Sequence, residues 1–161
     1  MVDFVKRDYY AFRSAIYQRE SSNNYQAVNR FNFIGVAQFG KPRLWDLGYS
    51  IDKYKPHWYN FRDRKSLTKL EFLNNKELQD LIFFQHVQDC IKQIKNKGLD
   101  KHICTYVNKV KVTMSGLVAG MHLGGLGSLT KWLIGIPFKN GFGTDIGSYI
   151  SKFADYDLEN Y

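Results

Sequence analysis

The sequence predicts an α+β domain, mainly α, with one small β-ribbon. Three observations carry this. Residues 76–97 place Phe83, Phe84, Val87, Cys90, Ile91 and Ile94 on one stripe, with Gln85, Asp89, Lys92, Gln93 and Asn96 opposite and Gly98 as the expected stop. Further helical patterns fall at residues 8–19, after Thr113 and after Thr144. Between them, residues 26–39 gather β-branched and aromatic residues around Asn32, a candidate turn residue. At 161 residues, with 44% hydrophobic and 24% charged content, residues 1–161 read as a single domain that buries a core without disulfide staples. No internal repeat, low-complexity tract or linker divides it.

Taken in order, residues 8–19 form a helix with Asp8 as cap or first-turn acid. Phe12, Ala15, Ile16 and Arg19 follow its i, i+3, i+4, i+7 rule and lead to Glu20 at its end. The ribbon at 26–39 draws on Val28, Phe31 or Phe33, Ile34 and Val36. Pro42 opens a short helix that Gly48 ends, with Leu44 and Leu47 inward. Residues 49–66 read as a loop, mixing Tyr54, His57, Trp58, Tyr59 and Phe61 with basic residues; Trp58 and Phe61 either stack a ligand or plug the loop onto the core. Ser66 or Thr68 caps a short helix ending near Asn74-Asn75. On the long helix that follows, His86 falls off the apolar stripe and is expected in solvent. A short helix over 99–107 precedes the strand-like K-V-K-V. Thr113 then caps a helix whose Gly116, Ala119 and Gly120 allow close approach of a neighbour or a substrate, and whose Leu129, Trp132 and Leu133 continue the core. Thr144 caps a last helix bearing Ile146, Tyr149, Ile150 and Phe153.

Composition narrows the function classes. The net charge is +8 and the pI about 9.4, so the surface attracts polyanions. Peptidoglycan with its acidic polymers and nucleic acid both qualify, and a basic stretch is also what a plain solvated face looks like. The aromatic content of 16% fits either a Tyr-rich core and surface or a groove that stacks sugar rings. Cys90 and Cys104 lack zinc-site spacing and leave a bridge between them open. His57, His86, His102 and His122 are scattered, so no metal site is predicted, and no cofactor is called for. The glycines at 124, 125 and 127 lack phosphate-loop spacing. No run approaches 18 apolar residues, so no membrane span is expected. The first ten residues lack the apolar stretch of an ordinary signal peptide.

The most informative stretch is residues 19–40, R-E-S-S-N-N-Y-Q-A-V-N-R-F-N-F-I-G-V-A-Q-F-G. Glu20 is its only acid, and the next is Asp46. One carboxyl at a helix end, facing an amide- and aromatic-rich segment, fits a general acid acting on a sugar. Such an acid must hold its proton near neutral pH, which partly apolar surroundings achieve. A second carboxylate, usual in glycosidases, is not evident in this stretch; Asp46, Asp52 and Asp63 lie in later elements.

Glu20-Ser21-Ser22 with Tyr25, Asn29, Gly35 and Gln38-Phe39 resembles the lysozyme-like superfamily: bacterial and phage-type muramidases, lytic transglycosylases and resuscitation-promoting factors. Their shared core is E-S-x-x-x-[YW], a short ribbon, then G-x-x-Q-F. Phe72-Leu73-Asn74-Asn75 into Leu78-Gln79, Ser115-Gly116-Leu117 through His122, and Gly143-Thr144 to Phe153 extend the likeness over most of the chain. The chain departs from it at Ser22-Asn23, often Gly-Gly there, and at Ala37. The resemblance implies a lysozyme-like domain with the ribbon beside a cleft, cleaving the MurNAc–GlcNAc bond of peptidoglycan. Glu20 would be the catalytic acid, and Ser21, Tyr25, Asn29, Gln38, Trp58 and His122 would contact substrate; His122 also reads as an ordinary structural histidine. Glu20 acts either as acid then base, giving an anhydro product, or as acid toward a water held by Ser21, Asn29 or Gln38. The implied partners are peptidoglycan glycan strands and a cognate immunity or inhibitor protein, with no nucleic acid. Export to the wall would need a holin, a phage tail or a secretion machine. The alternative is a non-catalytic module that binds peptidoglycan or nucleic acid.

Overall fold

The first helix, α1 (Tyr9–Ser21), starts where Asp8 accepts a hydrogen bond from the Ala11 backbone N–H at 3.0 Å. That bond is the main reason the Asp8 carboxyl sits below its ordinary value. Asp157 is lowered in the same way, chiefly by the Glu159 N–H. Both contributions to stability are present above the usual carboxylate pKa and are lost as pH falls through the lowered ones. The chain is seen in a computed structural model that describes residues 6–51, 57–60 and 65–160. It is mainly helical with minor antiparallel β-structure, an α+β protein.

After α1 come α2 (Lys41–Asp46), β1 (Tyr49–Ile51), β2 (His57–Asn60), β3 (Lys65–Thr68), α3 (Lys69–Leu73) and α4 (Lys76–Asn96). A 3-10 turn (Leu99–His102), the hairpin β4 (Tyr106–Val107) and β5 (Val110–Lys111), then α5 (Met114–Leu133) and α6 (Ile146–Lys152) complete it. The contacts divide the chain into two compact units, one of residues 1–15 and 87–161, the other of residues 16–86. Both α1 and α4 contribute to each.

In the 16–86 unit, β1, β2 and β3 form an antiparallel sheet in that order, with Tyr49 opposite Asn60, and Trp58 opposite both Ile51 and Leu67. The described residues of the expected loop at 49–66 are strand, since Tyr49-Ser50-Ile51, His57-Trp58-Tyr59 and Ser66-Leu67-Thr68 supply strand formers; residues 52–56 and 61–64 lie outside the described part. The expected ribbon at 26–39 is instead two isolated bridges, Val28 with Ile34 and Ile34 with Phe39, because tight turns leave no room for a ladder. Leu44 and Leu47 are buried as expected. On α4 the inward stripe is Ile82, Phe83, Val87, Cys90, Ile91 and Ile94, while Phe84 is half-exposed and Ile82 takes its place. His86 is not in solvent: it is 2% exposed, Arg43 Nε donates to its Nδ1 at 2.8 Å, and Phe39 packs edge-on to its ring at 5.1 Å.

In the other unit, α5 packs on α6 through glycine. A Cβ on Gly116 would stand 2.7 Å from the Ile150 carbonyl oxygen, and one on Gly120 would stand 3.0 Å from Ile150 Cγ1. Thr113 caps α5 by accepting from Gly116 N at 3.1 Å. Gly125, at φ +79°, kinks the helix, which explains the glycine cluster without a ligand. Ser115, buried, donates to the Phe153 carbonyl at 2.7 Å and accepts from Tyr156 N at 3.1 Å. Phe12 meets Phe153 and Tyr156 edge-on, and Arg7 closes this end over the Tyr156 ring at 4.3 Å. The cap of α6 is Asp145 rather than Thr144, accepting from Ser148 N at 3.0 Å. The expected helix over 99–107 stops at His102, because Cys104 takes φ +68° and the chain turns into the β4–β5 hairpin through Asn108 and Lys109, also left-handed. Cys90 is buried, Cys104 is exposed, and no disulfide joins them.

The two faces of α5 make opposite predictions for one substitution. Gly116→Ala forces the Ile150 backbone to move and should cost about 1–3 kcal/mol. Gly127→Ala meets nothing within 4 Å and should gain about 0.5–1 kcal/mol from helix propensity. Urea unfolding of the two variants checks both signs.

Candidate active site

The stretch around Glu20 is shaped by how α1 ends. Ser22 N donates to the Gln18 carbonyl at 3.1 Å and Asn23 N to the Tyr17 carbonyl at 3.2 Å. Ser22 and Asn23 take φ of +54° and +62°, so the chain reverses directly after Glu20 and Ser21. Ser21 Oγ donates to the Val36 carbonyl at 2.8 Å and accepts from Asn24 N at 3.0 Å. Glu20 thus sits half-buried in the last turn of α1, on a helix end tied to the turn at residues 34–39.

That turn is closed by reciprocal backbone bonds between Ile34 and Phe39, at 3.1 and 3.0 Å. Gly35 enters it at φ +77° and Gln38 leaves it at φ +52°. Gln38 Nε2 donates to the carbonyls of Gly35 (2.9 Å) and Ala27 (3.3 Å). Two carbonyl partners fix the amide orientation, with Nε2 turned to the backbone of its own turn.

Beneath the turn lies Gln79, on the first part of α4 and 2% exposed. Its Oε1 accepts from Val36 N at 2.8 Å. Its Nε2 donates to the carbonyls of Tyr25 at 2.9 Å, Phe72 at 3.0 Å and Leu73 at 3.3 Å. Gly35 is needed here for space as well as for φ: a Cβ would lie 2.5 Å from Gln79 Oε1. At the next position of α4, Asp80 Oδ1 accepts from Tyr17 Oη (2.9 Å) and Tyr25 Oη (2.8 Å), and those two rings meet edge-on at 5.9 Å. Sequence reading singled out neither Gln79 nor Asp80 for a role. The signal for Gln79 was a polar residue at a core-facing register of α4, in line with Phe83, His86 and Cys90.

The structure therefore gathers Glu20, Ser21, Tyr25, Asn29 and Gln38 in one unit, with distinct duties. The Ser21 hydroxyl and the Tyr25 hydroxyl hold the fold. Asn29 Oδ1 closes its own loop, accepting from Phe31 N at 2.8 Å and Phe33 N at 3.1 Å. Trp58 is in β2 of the same unit. His122 lies half-buried on α5 in the other unit. Of the later acids, Asp46 ends α2 in an exposed position, whereas Asp52 and Asp63 fall outside the described residues. A shallow depression at the α3–α4 turn is lined by Leu70, Glu71, Asn74, Asn75 and Glu77; Glu20 does not line it. Among the described residues, no group of His, Cys, Asp and Glu is arranged to hold a metal ion. No helix of the described part is long and apolar enough to cross a membrane. Compared with known proteins, the chain matches no family model, no curated protein and no solved structure.

Two stability outcomes follow from this geometry. Gln79→Leu keeps bulk but strands the Val36 N–H and the Tyr25 carbonyl, and should cost on the order of 3 kcal/mol in chemical denaturation. Ser22→Gly and Asn23→Gly relieve left-handed backbone at residues with a Cβ, so their thermal midpoints should equal or exceed the parent's despite glycine's larger unfolded-state entropy.

Proposed function

We propose that the protein is a lysozyme-like enzyme that cleaves the β-1,4 MurNAc–GlcNAc bond of peptidoglycan, with Glu20 as general acid. The observation that carries this reading is the backbone after Glu20. Ser22 and Asn23, where the resembling families often have Gly-Gly, take left-handed φ values of +54° and +62°, the conformation glycine is used for. The departure in sequence is thus conservative in shape. The E-S-x-x-x-Y and G-x-x-Q-F segments also meet physically, through the bond from Ser21 Oγ to the Val36 carbonyl. Helix α1 and the Gln79-supported turn hold Glu20 from both sides of the sequence, and rigid support is what a proton donor needs to meet a leaving oxygen at hydrogen-bond distance.

In the proposed reaction the Glu20 carboxyl protonates the glycosidic oxygen as the C1–O bond breaks. The resulting carboxylate then takes a proton from the incoming nucleophile. If that nucleophile is water, a reducing muramic acid forms; if it is the muramic C6 hydroxyl, the product is the 1,6-anhydro sugar, lighter by one water. We favour water, on the phage-type look of Gln38-Phe39 and Phe72-Leu73-Asn74. The charge of +8 supplies long-range attraction to the anionic wall.

Mass spectrometry of purified peptidoglycan after incubation should show disaccharide muropeptides with reducing ends. Anhydro ends would reassign the nucleophile, and an intact polymer would leave a binding module, on glycan or on oligonucleotide. Glu20→Gln keeps shape and removes the proton. Turbidity loss on wall fragments should slow by roughly 10²–10⁴-fold or more, with thermal unfolding unchanged or slightly raised and glycan binding retained. Parent-like lysis by this variant would remove Glu20 as the acid.

A further inference from the structure

Two loops of this chain are built alike, one in each unit, and one of them carries an Asn-Gly pair. In the first, Asn29 Oδ1 accepts from Phe31 N at 2.8 Å and Phe33 N at 3.1 Å. In the second, Asn140 Oδ1 accepts from Phe142 N at 3.0 Å and Thr144 N at 2.9 Å. The backbone closes both in the same way: Asn29 N donates to the Phe33 carbonyl and Asn140 N to the Thr144 carbonyl, each at 3.0 Å. The fourth residue is left-handed in both, Asn32 at φ +61° and Gly143 at +78°. The loops differ at the second residue, Arg30 in one and Gly141 in the other, and Asn140-Gly141 is the only Asn-Gly pair in the sequence.

That difference has a chemical consequence. The amide carbon of an asparagine can be attacked by the backbone nitrogen of the residue after it. The new N–Cγ bond closes a succinimide ring, the Cγ–Nδ2 bond breaks, and the proton from the attacking nitrogen leaves with the ammonia. Water then opens the ring at either carbonyl, giving aspartate or an isoaspartate whose backbone runs through Cβ. No oxidant, metal or cofactor enters the balance. The reaction is favoured by an unhindered nitrogen, by a nitrogen whose N–H is not engaged, and by donors at the oxygen where negative charge develops. The Asn140 loop supplies all three. Gly141 has no Cβ to crowd the attack. It is exposed, and among the described residues its N–H donates to no other group. Asn140 Oδ1, the oxygen that becomes the oxyanion of the tetrahedral intermediate, already accepts from two backbone N–H groups, as in sites built for acyl transfer. The bond from Phe142 N also closes a ring that contains both Asn140 Cγ and Gly141 N, the two atoms to be joined, so the amide is kept folded toward the backbone it reacts with. Asn29 has matching donors, but Arg30 carries a side chain on the carbon beside the attacking nitrogen.

We propose that Asn140 is a site of spontaneous deamidation that reacts in the folded protein, with Gly141 N as nucleophile and the Phe142 and Thr144 N–H groups as oxyanion donors. This stands apart from the peptidoglycan reading and survives its failure. Either product lowers the net charge of +8 by one. The aspartate keeps an acceptor oxygen for both N–H groups. The isoaspartate adds an atom to the backbone between Lys139 and Asp145, whose bridge, with the bond from Ile146 N to the Phe138 carbonyl at 3.1 Å, leads the chain into α6. The connection from α5 to α6 therefore loosens as the protein ages.

The test is the folded protein incubated at mildly alkaline pH, beside the same chain unfolded in urea as the reference. Peptide mapping by mass spectrometry follows the gain of one mass unit at each asparagine, and enzymatic methylation of isoaspartate confirms the product. Asn140 should convert in the folded protein at a rate no more than about tenfold below the unfolded reference, while Asn29 keeps its amide. Gly141→Ala should slow conversion at Asn140 by about tenfold or more, by crowding the nitrogen. Arg30→Gly should make Asn29 reactive, because it gives the matched loop the nucleophile it lacks. Conversion of Asn140 confined to the unfolded chain, or slowed beyond about tenfold by folding, would overturn the proposal, since the loop would then protect the amide. A Gly141→Ala protein that converts at the parental rate would overturn it as well, and so would an Arg30→Gly protein whose Asn29 stays intact.

Discussion

The 16–86 unit depends on one buried side chain. Gln79 places its amide among four backbone groups from three separate segments: the turn at Val36, the chain at Tyr25, and the end of α3 at Phe72 and Leu73. None of these groups has a regular ladder to join, because the segments are too short and too strongly turned. Buried backbone polar groups need partners, and leaving one unmade costs more than a made bond gains. An amide offers a donor and an acceptor on one rigid plane, so a single Gln serves both signs. Glycine at position 35 is the steric counterpart of this arrangement.

The segment bearing Glu20 inherits its order from that support. Ser21 ties the end of α1 to the Val36 carbonyl, and Val36 N is held by Gln79. Glu20 is therefore two hydrogen bonds away from the buried amide. Asp80, next to Gln79, gathers the hydroxyls of Tyr17 and Tyr25 and fixes the start of the loop from the other side. Adjacent positions of one helix thus grip the segment before and after Glu20. The proposed proton donor needs no metal or cofactor for this; what it requires is a backbone that does not wander, and the fold provides it by hydrogen bonds rather than by regular secondary structure.

The remaining aromatic content divides by burial. Tyr9, Phe12, Tyr17, Phe39, Tyr49, Phe72, Phe83, Tyr149 and Phe153 are core. Phe31 and Phe142 are not, and the same asparagine geometry displays both. The loops share only Asn and Phe at matching places, which is too little for a sequence to register as a repeat. Their likeness lies in hydrogen bonds and in the sign of φ.

The sequence by itself determined the helices with strong periodicity or clear caps: α1 behind Asp8, α2 between Pro42 and Gly48, α4, and α5 behind Thr113. These depend on neighbours within a few residues, where 3.6-residue spacing and capping chemistry act. It also marked the stretch around Glu20, since an acid amid amides and aromatics is a local feature. Tertiary structure decided the rest. Whether residues 49–68 are loop or strand turned on pairing between segments, which no local propensity fixes. Whether His86 and Gln79 face water or core turned on partners far along the chain, Arg43 for one and Val36, Tyr25 and Phe72 for the other. A polar residue can enter the core only when distant groups satisfy it, and the identity of those groups is written in three dimensions rather than in spacing.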